Sequence, residues 1–113
     1  MNTVLWAQRA NLVYLTVDLH DATTPEIDLK EDKLVVTAVS DGKNYAVRIE
    51  FHAPIDVEAS TRNITPRNIV FVLIKKKPEW WARLNKGSKL NFVKTDFARW
   101  KDEDDDEDDD AEN

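Results

Sequence analysis

From residue 12 to residue 19 apolar and polar positions alternate, with Val13, Leu15, Val17 and Leu19 on one side and Tyr14, Thr16 and Asp18 on the other. That period of two is the mark of a half-buried β-strand. It returns at 45 to 51, where Tyr45, Val47, Ile49 and Phe51 oppose Ala46, Arg48 and Glu50. Between these segments Lys33 to Ser40 is rich in branched residues and runs into Asp41-Gly42, a dipeptide that accepts the positive φ angles of a tight hairpin turn. Pro25, Pro54 and Pro66 are expected in connections, because proline has no N–H to give to a ladder. Short strands at close intervals predict an all-β protein, an antiparallel β-sandwich.

Residues 69 to 74, Ile-Val-Phe-Val-Leu-Ile, are apolar at every position, so this strand is expected to be covered on both faces. Trp80, Trp81 and the chain after them are the candidates for the second cover, with at least one of the two tryptophans in the core. The lysines at 75 to 77 close an apolar strand and read as charges that discourage edge pairing. Helix is scarce. One or two turns are expected over Thr95 to Lys101, placing Phe97 and Trp100 at i and i+3 on one face.

Charge divides the chain. Its net of -6 combines about -9 in residues 101 to 113, with ten acids and one lysine, and +3 in residues 1 to 100, with 15 basic and 12 acidic residues. From Asp102 to Asp110 every residue is Asp or Glu, and such a block repels itself and stays solvated. The expected organisation is one domain over residues 1–94, a short partner-binding segment over 95–101 and a disordered acidic tail over 102–113. Cysteine is absent, which excludes disulfides and permits a reducing compartment. No stretch approaches the ~18 apolar residues of a membrane span, and the first residues carry no basic flank followed by an apolar run. The basic residues of the body are not gathered into the stripe that nucleic acid requires. A monomer with neither membrane nor nucleic-acid partners is expected.

Catalytic chemistry finds little support. Ser40, Ser60 and Ser88 lie in no nucleophile-elbow pattern, and the two glycines, Gly42 and Gly87, cannot build a phosphate-cradling loop. His20 and His52 lack helical metal spacing and fall at expected strand ends. The acidic run lacks the turn glycine and alternating ligands of a calcium loop. No enzyme, metal site or cofactor is expected.

The remaining motifs carry a family resemblance. Trp80-Trp-Ala-Arg-Leu-x-Lys86, Lys89-Leu-Asn91 and Val93-Lys-Thr-Asp-Phe-Ala-Arg-Trp-Lys-Asp-Glu-Asp104, together with Trp6-Ala-Gln-Arg9 and Val13-Tyr-Leu-Thr-Val17, resemble the small acidic co-chaperones of the ninety-kilodalton heat-shock chaperone (heat-shock protein 90). The resemblance runs in order from residue 5 to residue 106. It implies a CS domain, a β-sandwich of the alpha-crystallin-like kind. It further implies a protein that binds the ATP-bound, closed chaperone dimer, slows its ATP hydrolysis and prolongs the holding of client proteins. Carried over residue by residue, the implied partner-binding set is Trp6, Arg9, Arg83, Lys86, Lys89, Asn91, Lys94, Phe97 and Trp100. The implied location is cytoplasmic, with the nucleus as a second compartment.

Two positions depart from the family. A prostaglandin synthase activity credited to some relatives relies on a tyrosine directly after the first-strand tryptophan, where this chain has Ala7, so that activity is not expected. Ala82 stands where many members have proline. A twin tryptophan also occurs in the nuclear-distribution group of CS domains, which keeps an adaptor role open, and exposed apolar surface beside a solvating tail keeps open a holdase that works without the chaperone. The Asp96-Phe-x-x-Trp100 element and the acid after it favour the co-chaperone.

Overall fold

The computed structural model describes residues 3–101, and the expected tail over 102–113 lies outside them. Among the described residues the chain forms β1 (Val4–Gln8), β2 (Leu12–Val17), β3 (Thr23–Leu29), β4 (Lys33–Ser40), β5 (Lys43–Glu50), β6 (Ile55–Ile64), β7 (Ile69–Lys75) and β8 (Val93–Thr95). They make a five-stranded sheet ordered β6-β7-β2-β1-β8 and a three-stranded sheet ordered β3-β4-β5.

The alternating patterns fall where the sequence places them. Val13, Leu15 and Val17 of β2 and Ile69, Phe71 and Leu73 of β7 are fully buried, and Leu34, Val36, Val47, Ile49 and Phe51 of the smaller sheet are at most 3% exposed. These two apolar faces form one core. Burying each such side chain contributes about 1.5–3 kcal/mol, which sets register, since a slip of one residue would turn every one of them to water. Asp41 (φ 53°) and Gly42 (φ 75°) make the tight turn between β4 and β5, with Ser40 opposite Lys43.

Four expectations need correction. Pro25 lies inside β3, at the register shift between Thr23 and Glu26. β3 is an edge strand, and an edge with a bulge tolerates a missing N–H. The second face of β7 is only half covered, with Val70, Val72 and Ile74 partly exposed, because Trp81 is buried in the core instead. Residues 95–101 form no helix. A single turn closes where the Arg99 N–H reaches the Asp96 carbonyl at 3.1 Å. Lastly, Lys75 guards no edge. β7 is an interior strand, and Lys75 shares the inward parity of Ile69, Phe71 and Leu73, at 5% exposure.

One pairing is parallel. After β7 the chain crosses the end of the sandwich over residues 76–92 and returns in the direction of β1, so β8 joins β1 with Val4 opposite Val93 and Trp6 opposite Thr95.

Candidate partner-binding groove

The crossover is held by backbone bonds to the end of β5. The His52 N–H reaches the Leu84 carbonyl at 2.9 Å, the Lys86 N–H reaches the Glu50 carbonyl at 2.9 Å, and Phe51 bridges to Asn85. Leu84 is thereby carried fully into the core.

A polar clasp fixes the other end of the crossover. Gln8 sits at the inward parity of Val4 and Trp6, and its side-chain amide treats Trp81 as a strand partner: Nε2 donates to the Trp81 carbonyl at 2.8 Å and Oε1 accepts from the Trp81 N–H at 2.9 Å. The Lys75 ammonium donates to the same Oε1 (2.8 Å), to the Arg9 carbonyl (2.8 Å) and to the Glu79 carbonyl (2.6 Å). It also lies 5.6 Å from the Trp80 ring centroid and 5.2 Å from that of Trp81, within cation–π range. A buried cation needs such company, since desolvation without it costs several kcal/mol. The clasp seats Trp81 in the core, 6.5 Å from Phe51, and leaves Trp80 half-exposed.

Beyond β8 the chain stays on the domain. The Asp96 N–H extends the ladder to the Trp6 carbonyl at 2.8 Å. Arg9 Nη1 donates to the Arg99 carbonyl at 2.8 Å, while Arg99 Nη1 lies 3.4 Å from both Thr16 Oγ1 and Asp96 Oδ2. Tyr14 receives both guanidinium groups, Arg9 at 5.4 Å and Arg99 at 5.5 Å from its ring centroid. Trp100 packs on Trp6 with centroids 5.4 Å apart. Phe97, at the crest of the turn, is 84% exposed.

Between the crossover and this turn lies a groove of about 490 Å³. Its floor and walls are apolar, from Trp6, Leu84, Leu90, Val93 and Trp100, and Phe97 stands at its rim. Arg83, Lys89 and Lys94 supply charge, and among the described residues no Asp, Glu, His or Cys lines it. An apolar channel edged by cations is suited to a partner segment bearing apolar anchors and carboxylates. Among the described residues it holds no pair of groups for general acid–base catalysis, and Ala7, fully buried in β1, brings no hydroxyl to it.

Of the nine residues the sequence singles out, Trp6, Arg83, Lys89, Lys94, Phe97 and Trp100 converge on this groove. Lys86 and Asn91 are exposed and outside its lining. Arg9 lies elsewhere too, and its guanidinium holds the 96–100 turn in place. Phe97 and Trp100 do not share one helical face, because Phe97 is 84% exposed and Trp100 is folded against Trp6. Sequence reasoning missed Gln8 and Lys75, which position the crossover. Both are polar residues at core parity within strands, and that was the available signal. It also missed Leu84 and Leu90, which no period-two pattern marks because they lie in irregular chain.

Residues 2–76 match the model of the CS domain, and with the two-sheet fold this places the chain in the CS-domain family. Within it the chain is 46% identical to protein wos2 of Schizosaccharomyces pombe over 89% of its own length, and 41% identical to co-chaperone protein daf-41 of Caenorhabditis elegans over 90%. It spans about 60% of the length of these curated relatives. The solution structure of the CS domain of human KIAA1068 protein shares the fold, with a TM-score of 0.68 at 15% identity over 77% of this chain and 75% of that one. Apart from Trp6, every groove residue lies beyond the stretch matched by the family model.

Proposed function

We propose that this chain acts as a co-chaperone of the ninety-kilodalton heat-shock chaperone, seating a segment of the ATP-bound, closed dimer in the groove between Arg83 and Trp100. Contact with a surface assembled only in the closed state stabilises that state by the difference in affinity, which slows ATP hydrolysis and prolongs client holding. What supports this reading is the convergence of Trp6, Leu90, Phe97 and Trp100 with three cations on a groove that, among the described residues, has no carboxylate in its lining. The name of the C. elegans relative agrees with it.

Calorimetric titration of the purified chaperone with a non-hydrolysable ATP analogue, with ADP and without nucleotide tests it. Binding is expected with the analogue and at least tenfold weaker in the other two states, a coupling of about 1.4 kcal/mol or more. Equal affinity in all three would remove the closed-state mechanism.

A further inference from the structure

We propose that the groove also takes the acidic stretch 102–113 of this same chain, so that its own carboxylates compete in cis with any acidic partner. The cations round the groove are unspent. Among the described residues Arg83, Lys86, Lys89 and Lys94 form none of the ion pairs seen elsewhere, such as Lys76 with Glu31 and Arg99 with Asp96. Three of the four line the groove, where no carboxylate of the described residues faces them, although residues 1–100 hold 12 acids. A cleft of one sign focuses its field and gathers the opposite charge.

The chain itself delivers that charge. Trp100 is part of the groove wall, so the chain continues through Lys101 from a residue of the groove itself, and ten of the next 12 residues are Asp or Glu. Fully extended, that stretch reaches about 40 Å, far enough to track the lysines in several registers. Closure over so short a connection has a small entropic cost, and tethering sets an effective concentration of order mM. Each contact is a weak, exposed pair, so the association exchanges rapidly and responds to salt. It does not depend on which protein fills the groove in trans.

The absence of cysteine allows a clean test on the full chain, with Ala111→Cys carrying a nitroxide. At about 0.01 M salt, where the Debye length is about 30 Å, the amide signals of residues 83–90 and 93–95 should broaden. They should sharpen at about 1 M, where it is about 3 Å, and also when Lys89→Glu and Lys94→Glu are added. In a second measurement, the full chain with its acids from Asp102 to Glu112 changed to amides should bind a polyaspartate peptide about tenfold tighter than the parent. That factor follows when the effective concentration exceeds the dissociation constant in trans by the same ratio. Broadening centred on another face, broadening indifferent to salt and charge reversal, or equal peptide affinities would overturn the proposal. So would broadening of an unlabelled chain by a labelled neighbour to the same degree as within one chain, since the contact would then be intermolecular.

Discussion

The indole of Trp100 stands almost perpendicular to that of Trp6, with centroids 5.4 Å apart and planes crossed at 79°. This edge-to-face arrangement suits the ring quadrupoles and adds about 0.5–1.5 kcal/mol to what burial contributes. It ties the segment after the last strand to the first strand of the sandwich, so Trp100 belongs to the domain as well as to the groove.

Trp100→Ala should therefore destabilise the protein, by about 2 kcal/mol for a half-buried aromatic that loses its partner ring. Urea unfolding of the variant measures this. A change within about 0.5 kcal/mol would mean that the ring contributes no packing in solution.

Phe97 should separate from Trp100 in the same experiment. With the ring 84% exposed, Phe97→Ala is expected to leave stability within about 0.5 kcal/mol. If the ring enters a pocket on the partner, its loss should weaken binding by about 2 kcal/mol or more. Calorimetry of the single variant decides this free of the folding defect that Trp100→Ala introduces.

Gln8→Ala should be among the most damaging single changes to a polar side chain. It strips the partner from the Trp81 N–H and from the Trp81 carbonyl and takes one of the acceptors of the Lys75 ammonium, which keeps the Arg9 and Glu79 carbonyls. Leaving a buried group without its partner costs about 1–3 kcal/mol, so a loss of roughly 2 kcal/mol or more is expected. Amide exchange should report the crossover over 76–92 opening more readily than β2 and β7.

Lys76 and Glu31 offer a titration. Their 2.8 Å hydrogen bond, followed by the charge attraction of the same carboxylate, raises the Lys76 ammonium above the ordinary lysine value of 10.5. A raised folded value means that the pair's contribution is fully present below the ordinary value of 10.5 and is lost as pH rises through the folded value. NMR titration of the Lys76 side chain should show the elevation, its removal by Glu31→Gln and its shrinkage in salt.

Charge reversal at Lys89 and Lys94 should slow association with the chaperone and flatten its salt dependence, because exposed charges act mainly on encounter. Stopped-flow association rates for the parent and for Lys94→Glu between about 0.05 and 0.5 M salt would show it. An association rate indifferent to both salt and substitution would leave these lysines as ordinary solvated surface.

The strands legible in the sequence were those with one wet and one dry face. β2 and β5 announce themselves by alternation because one face of each is turned to the core, β4 by its branched residues ahead of Asp41-Gly42, and β7 by its unbroken apolar run. β3 and β6 gave no such signal. Each is an edge of its sheet, and most of their side chains face water; in β3 the alternation is confined to the half-buried Ile27 and Leu29 after Pro25, and β6 shifts register between Asp56 and Thr61.

The candidate site was legible as a set of residue types and not as a place. Composition and local pattern determined an all-β domain, the Asp41-Gly42 hairpin, a core tryptophan and an aromatic, cationic stretch ahead of solid acid, since propensity, period and like-charge repulsion act over a few residues. Which tryptophan enters the core, why Lys75 is buried, and how Phe97 and Trp100 part company were decided by contacts between residues some seventy to ninety positions apart: Gln8 with Trp81, Arg9 with Arg99, Trp6 with Trp100. Such contacts require the chain after β7 to return to β1. No local pattern encodes that return, because its stabilisation comes from surfaces that do not meet until the sandwich has closed.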